Sequence, residues 1–459
     1  MSSPRTAGDR GDAAVTAAHA AVFAVALLAL AGSTLTWPMT YDDLHLIRTF
    51  SGQEIGRAFT GTYDPDDMEV GGYRPLTVVF NHARHLLFGE SVLAHRLFLI
   101  ALYAAFLAGL GVVARALGAG SAEVLASGLL ALLSRYSVYH YVFLTDGAHL
   151  VQGIFFLAAL AGLWSWMRSA AALPLTCSLA AVAAGVLFRE DTLGAVPALW
   201  LLAWARFRGQ PRAVHRLGLH VASTAAVVLA LLAVRAHFVA SAPQPAIHLG
   251  AWLDYVVRTS SLAGAESFDP FSRWAVASWR WAPLALVAGL LVSDAGGRLR
   301  ALTWAACAAA ACSPALTLRR EDLLFFPVCF AGMAYAAALV GAARRHSTVA
   351  WATAALLVWL AAGEAYVTRE FMRVFHPLSS TSLTWSGAFV YGYYGDATVP
   401  AVRRQEVIDR LAAVGIRGSR DYFEKLPRKI YNLEQEGQRE PSNDGRPFVP
   451  RLHFRAFKP

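Results

Sequence analysis

The stretch LLFFPVCFAGMAYAAALVGAA, Leu323–Ala343, carries no charged side chain. Roughly 18 apolar residues in a row match the hydrocarbon thickness of a bilayer when helical. Similar uncharged runs occur at Leu97–Ala114, Ala171–Phe188 and Ala301–Leu318. An isolated strand leaves its backbone polar groups unsatisfied in lipid, so repeated runs of this length read as transmembrane helices. Whole-chain composition agrees: 56% hydrophobic, 15% charged and a mean hydropathy of +0.44, away from soluble averages. The expected fold is an all-α polytopic membrane protein.

The length criterion gives about 11 spans, near 14–36, 92–117, 121–138, 147–167, 171–188, 191–205, 214–237, 279–294, 300–317, 323–343 and 347–367. Residues 1–13 are expected to be a polar, disordered start, 14–367 the membrane domain and 368–459 an extracytoplasmic segment. The run after residue 13 lacks a cleavage site and reads as a retained helix. In the last segment, Pro400–Val414 reads as an amphipathic helix and Leu452–Phe457 as a strand, which makes a small α+β unit.

The formal net charge of +9 raises nucleic acid as a partner, but the arginines lie mainly in short connections. Arg115, Arg168, Arg206, Arg208, Arg212, Arg216, Arg298, Arg300, Arg344 and Arg345 fall on one side of the alternating spans. By the positive-inside rule that side is cytoplasmic, with the N-terminus there and the C-terminus outside. No zinc spacing or free basic helix supports nucleic-acid binding. Cys177, Cys307, Cys312 and Cys329 lie in apolar runs, as packing residues do. Lysine occurs at Lys425, Lys429 and Lys458 alone, an arginine bias that points to a GC-rich bacterial genome and an inner membrane.

The first connection, residues 37–91, is too long for a simple turn. Leu44, Ile47, Phe50 and Ile55 follow near-helical spacing, and Leu76–Phe88 forms a second amphipathic stretch after Gly71-Gly72. Both are expected to lie in the outer interface of the membrane.

Asp42 and Asp43 stand near the outer end of the first span, where carboxylates are costly unless solvated or used. Thr40 and Asp43 fit a capping box. Asp42, about 100° around the same helix, does not share that role and is the stronger candidate for chemistry. Pro75 after Arg74 fits helix initiation, and the guanidinium also suits a phosphate. Asp146 and His149 share one helical face. Three readings stand: acceptor positioning, a divalent metal, or stabilisation of the helix dipole by Asp146. Glu190 and Asp191 open the sixth span and face the same region. Arg319, Arg320, Glu321 and Asp322 precede Phe325-Phe326-Pro327, either as a phosphate site or as an outer cluster of paired charges. Asp64, Asp66, Asp67 and Glu69 read as a solvated turn, and Trp385, Phe389, Tyr391, Tyr393 and Tyr394 as an interfacial belt or a sugar-stacking surface.

The order of a first span, Tyr41-Asp42-Asp43, a surface loop and Tyr73-Arg74-Pro75-Leu76-Thr77 resembles the GT-C class of membrane glycosyltransferases. It is most similar to relatives of protein O-mannosyltransferases and more distantly to lipid A aminoarabinose transferases. Leu187-Phe188-Arg189-Glu190 resembles the basic-acidic pair those proteins hold between two spans. The resemblance covers roughly residues 14–343.

It implies an inverting enzyme that takes a sugar from a polyprenyl-phosphate carrier and gives it to a protein or glycan hydroxyl at the outer face. The first carboxylate of the acidic pair, Asp42, is then the general base, with Asp43 beside it. Tyr73, Arg74, Asp146, His149, Glu190 and Arg320 are then substrate-binding. In relatives the arginine stands closer to the proline, next to tyrosines where this chain has Phe325 and Phe326. Two readings remain beside it: a transporter or lipid flippase, and an inactive relative that scaffolds partners. Charges at helix ends and the lack of an inverted repeat weigh toward the enzyme.

Overall fold

A computed structural model describes residues 7–37, 39, 43, 46–62, 72–134, 136, 140, 143–239, 247–260, 281–316, 321–345 and 347–374. Every regular element among them is helical. In chain order they are α1 (Ala7–Ala31), α2 (Gly52–Thr60), α3 (Pro75–Phe88), α4 (Val92–Ala116), α5 (Ser121–Leu133), α6 (Ala148–Ser169) and α7 (Ala172–Phe188). There follow α8 (Thr192–Phe207), α9 (Ala213–Phe238), α10 (Leu249–Ser260), α11 (Ala282–Val292), α12 (Ala295–Ala311), α13 (Phe325–Arg345) and α14 (Ser347–Val374). Short 3-10 turns occupy Gly32–Thr36, Leu144–Gly147, Ser313–Leu316 and Glu321–Leu324.

Among the described residues, 7 helices are long and apolar enough to cross a membrane, which makes this a membrane-embedded protein, and every regular element described is helical. Four shorter apolar helices, Ser121–Leu133, Ala172–Phe188, Thr192–Phe207 and Ala282–Val292, occupy the remaining expected positions. Helix α1 begins at Ala7, inside the stretch expected to be disordered. The third expected span ends at Leu133 rather than 138, because Ser134 is extended with φ −65° and ψ 137°.

Helix α13 is the axis of the bundle. It is buried along almost its whole length, with α5, α11, α12 and α14 packed around it. Its Ala334, Ala336, Ala337 and Ala338 are all buried, and such small side chains let helix backbones approach closely in lipid. Helices α6 and α7 form a second tight pair. By contrast α9, α11 and α14 show large apolar side chains outward, including Leu229, Leu291 and Trp351. In water those would be liabilities; against acyl chains they are a solvated surface.

The two ends of the bundle differ in chemistry. At one end, Glu123 at the start of α5 takes a two-pronged pair from Arg300 at the start of α12, at 2.8 and 2.9 Å, with Arg344 at 3.6 Å. There Arg206 also donates to Ala116 O and Arg216 to Met167 O. At the other end, the first connection folds over α6, α7 and α9. Helix α2 starts at Gly52 with Ser51 as its N-cap; before it Asp43 and Leu46 are helical, and Ile47 N–H donates to Asp43 O at 2.8 Å. Ser51 and Glu54 form a reciprocal capping box, at 3.2 and 2.7 Å, which fixes that start. Helix α3 starts at Pro75 as its sequence indicates. Phe50, Ala58 and Val78 join α2 to α3, and Phe50 N–H donates to His82 Nδ1 at 2.9 Å.

A candidate site at the arginine- and carboxylate-lined end of the bundle

Asp43 is fully buried early in the first connection, beyond the 3-10 turn Gly32–Thr36. A carboxylate there needs donors or cations to offset lost hydration. It has both: Oδ1 accepts the Thr145 N–H at 3.0 Å, and the charges of Arg84 on α3 and Arg96 on α4 act on it. Arg84 also donates to Leu144 O at 2.9 Å and to Asn81 Oδ1 at 3.3 Å. Burial pulls the Arg84 guanidinium down to about 10, against the opposing pull of Asp43, so it stays charged at neutral pH. Gly147 leaves room for this arginine, since a Cβ there would meet Leu99 Cδ2 at 2.4 Å and Arg84 Nη1 at 3.1 Å.

The next turn of the wall runs from Asp146 to Gln152. Asp146 lies in the 3-10 turn before α6, and His149 and Gln152 lie in the first turns of that helix. Across from them, the α7–α8 connection presents Arg189, Glu190 and Asp191. His149 Nε2 meets Asp191 Oδ2 at 3.2 Å, and Gln152 Nε2 donates to Asp191 Oδ1 at 2.7 Å. Arg189 lies 3.5 Å from both Asp146 Oδ1 and Asp191 Oδ1. Burial works against ionisation of Asp191, but Arg189, His149 and Arg74 outweigh it and hold the carboxyl well below its ordinary range. Asp191 precedes α8 at the N-cap position, yet its side chain caps nothing there and turns into the site.

The third part ties the first connection to this wall. Tyr73 N–H donates to Glu190 Oε1 at 3.0 Å, and Arg235 at the end of α9 binds the same oxygen at 2.5 Å. Tyr73 OH donates to Phe59 O at 3.0 Å, and its ring stacks on Phe238 at 6.4 Å and 16°. Thr77 on α3 donates to Phe188 O, closing α3 onto α7. Arg74, at the N-cap of α3, acts on Asp191 electrostatically.

The structure thus brings together Asp43, Tyr73, Arg74, Asp146, His149 and Glu190 from positions far apart in the chain. Asp42 and Arg320 lie outside the described residues, as do Thr40, Arg319, the acidic turn at 64–69, the aromatic group at 385–394 and the whole segment 375–459. Asp43 is engaged by Thr145 across the fold, an arrangement the capping-box reading did not contain. Asp146 and His149 reach the α7–α8 connection. Among the described residues, no group of three or more His, Cys, Asp or Glu is placed to hold a metal ion.

Arg84, Arg96, Gln152 and Arg235 were not singled out from sequence. The signal was present for the arginines. Arg84 stands in an amphipathic helix and Arg96 at the start of a span, where a charge is expensive and marks a use. With Arg74 and Arg189 they make five arginines facing four carboxylates, Asp43, Asp146, Glu190 and Asp191. Among the described residues the cluster thus holds one more arginine than carboxylates.

Comparison with family models, with curated proteins and with solved structures finds no match.

Proposed function

We infer that the chain is a GT-C-type membrane glycosyltransferase that moves a sugar from a polyprenyl-phosphate carrier to an acceptor hydroxyl at the outer face. The observation that carries this reading is the cationic cluster at one helix end, assembled from the first connection, the start of α6 and the α7–α8 connection. A lipid-linked donor keeps its tail in the bilayer and its phosphate at the interface, so a charged site at a helix end meets it where it lies. Arginine suits a phosphate through its planar fork of donors.

In this reading Asp42 takes the proton of the acceptor hydroxyl. The hydroxyl oxygen attacks the anomeric carbon from the face opposite the phosphate, and configuration inverts. The bond between that carbon and the phosphate oxygen breaks, and polyprenyl phosphate leaves with the electron pair. Arg74, with Arg320, stabilises the departing charge. Phosphate is a good leaving group, so the second carboxylic acid of a glycosidase is not required. Asp43, held by Thr145 and two arginines, belongs to the framework that sets the position of its neighbour.

The same reading includes eleven spans, the seven long helices and the four shorter ones. It places the Glu123–Arg300 end in the cytoplasm, by the positive-inside rule, and the site and the α+β segment after residue 367 on the extracytoplasmic side of a bacterial inner membrane. Transport is the lesser reading, since ionisable groups collect at the helix ends rather than near mid-membrane.

The test is reconstitution of the full chain in proteoliposomes with a panel of polyprenyl-phosphate sugars and a mixed peptide and glycan acceptor pool. Release of free polyprenyl phosphate together with an inverted glycoside supports transfer. Movement of intact donor across the bilayer without cleavage would instead support a flippase.

A further inference from the structure

At the end of the bundle opposite the candidate site, two arginines staple helix ends through backbone oxygens. Arg206, near the end of α8, donates to Ala116 O at the end of α4 at 2.5 Å. Arg216, in the first turn of α9, donates to Met167 O near the end of α6. The last carbonyls of a helix lack partners within it, so both bonds fill an open valence. The second bond also sets the α8–α9 connection against the α6–α7 connection. The α8–α9 connection is itself tightly turned, with Gln210 N–H donating to Phe207 O at 2.8 Å and Ala213 N–H to Gln210 O at 3.2 Å.

Three further arginines at this junction have no such task. Arg168 in the last turn of α6, Arg208 at the C-cap of α8 and Arg212 at the N-cap of α9 are exposed. Among the described residues, the side chains of these three form no hydrogen bond or ion pair; Arg208 lies over the Trp204 ring, 5.7 Å from its centre. Between Asp146 and Asp254 the sequence holds two carboxylates, Glu190 and Asp191, and both belong to the candidate site. Neither connection therefore offers these cations a countercharge of its own. Arg212 also has a φ of 65°, in the left-handed region where a Cβ is crowded and glycine is favoured. The turn alone does not account for an arginine there.

The flanking side chains are apolar. Leu173 in the first turn of α7 is 73% exposed, Val214 in the first turn of α9 is 77% exposed, and Trp204 is 46% exposed. A soluble anion would meet the arginines and leave these groups unused. A phospholipid uses both, with acyl chains on the apolar groups and phosphate oxygens on the planar guanidinium forks.

We propose that the junction of the α6–α7 and α8–α9 connections binds an anionic phospholipid, whose headgroup phosphate is held by Arg168, Arg208 and Arg212. The site is separate from the candidate glycosyl-transfer site, and the inference does not depend on that activity.

The experiment follows thermal stabilisation of the full chain in neutral detergent as phosphatidylglycerol, phosphatidylcholine or inorganic phosphate is added. Phosphatidylglycerol should stabilise the wild type well beyond the other two, and added salt should reduce the effect. A basic residue beside anionic lipid is worth roughly fivefold in affinity. The affinity should therefore fall about fivefold in Arg212→Gly, and on the order of a hundredfold when Arg168→Gln and Arg208→Gln are added. Arg212→Gly relieves the left-handed backbone, so its melting without lipid should not fall, which separates lost binding from a damaged fold. Equal stabilisation by the two lipids, or wild-type affinity in the triple variant, overturns the proposal. Inorganic phosphate that stabilises as well as phosphatidylglycerol overturns the lipid as occupant. Arg345→Gln, an exposed arginine at the end of α13 outside the junction, is the control. A loss equal to that of Arg212→Gly would mean a diffuse basic face and overturn the site.

Discussion

The backbone N–H of Tyr73 donates to Oε1 of Glu190 at 3.0 Å, which fastens the first connection to the turn between α7 and α8. The two residues are 117 positions apart. Through this bond the first connection becomes one wall of the site, and Arg74 is carried to Asp191 beside it.

Glu190→Ala removes the acceptor of the Tyr73 N–H and the partner of Arg235. The hydrogen bond contributes about 1 kcal/mol, and the partly exposed ion pair less than about 1 kcal/mol. Glu190→Gln keeps an oxygen for Tyr73 and should recover most of the loss. Melting of the detergent-solubilised variants checks this, and equal destabilisation of the two would show that the Tyr73 bond is unimportant.

Asp43→Ala leaves Arg84 and Arg96 buried around a missing carboxylate. Removing the countercharge of a buried arginine costs up to about 3–5 kcal/mol. Asp43→Asn keeps an acceptor for the Thr145 N–H and should fall between wild type and alanine. Wild-type melting of Asp43→Ala would remove this residue from the framework.

Gly162 marks the closest approach of α6 and α7. A Cβ there would meet Pro174 O and Ser178 N, both at 2.9 Å. These are backbone atoms that cannot swing aside, so Gly162→Ala should destabilise by about 1–3 kcal/mol. Gly218 on α9 has nothing within 4 Å of the same atom. Gly218→Ala should be neutral or stabilising by up to about 1 kcal/mol. The contrast between the two melts is the readout, and like behaviour would contradict the packing of this helix pair.

Acid should weaken the site through Asp191. Folding lowers the pKa of this carboxyl below its free value of about 3.9. Its contribution is present above that value and is lost as pH falls toward the depressed one. Melting followed from about pH 6 to about pH 3 should show a loss in wild type that is smaller in Asp191→Asn. Superimposable acid profiles would mean that Asp191 has no such role.

The helices were legible in the sequence because lipid imposes one rule on every span. Their apolar runs located α4, α6, α7, α9 and α13 to within a few residues. The spacing of Leu44–Ile55 indicated helix but not the break at 47–51, after which the Ser51–Glu54 capping box fixes the start of α2. Spacing within one helix did find Asp146 with His149. It could not show that the charges of Arg84 and Arg96 act on Asp43, since those three come together only when α3 and α4 fold against the start of the first connection. The pairing of Tyr73 with Glu190 is likewise a property of the tertiary fold.

The most direct measurement combines thermal stabilisation by polyprenyl-phosphate sugars with turnover, in wild type and Asp42→Asn. A ligand that binds the folded state alone raises stability by mass action. One donor should stabilise both proteins, while turnover in Asp42→Asn falls by about 10²–10⁴-fold, as expected on loss of a general base. Stabilisation by a soluble solute and by no lipid-linked sugar, or undiminished transfer by Asp42→Asn, would contradict the mechanism.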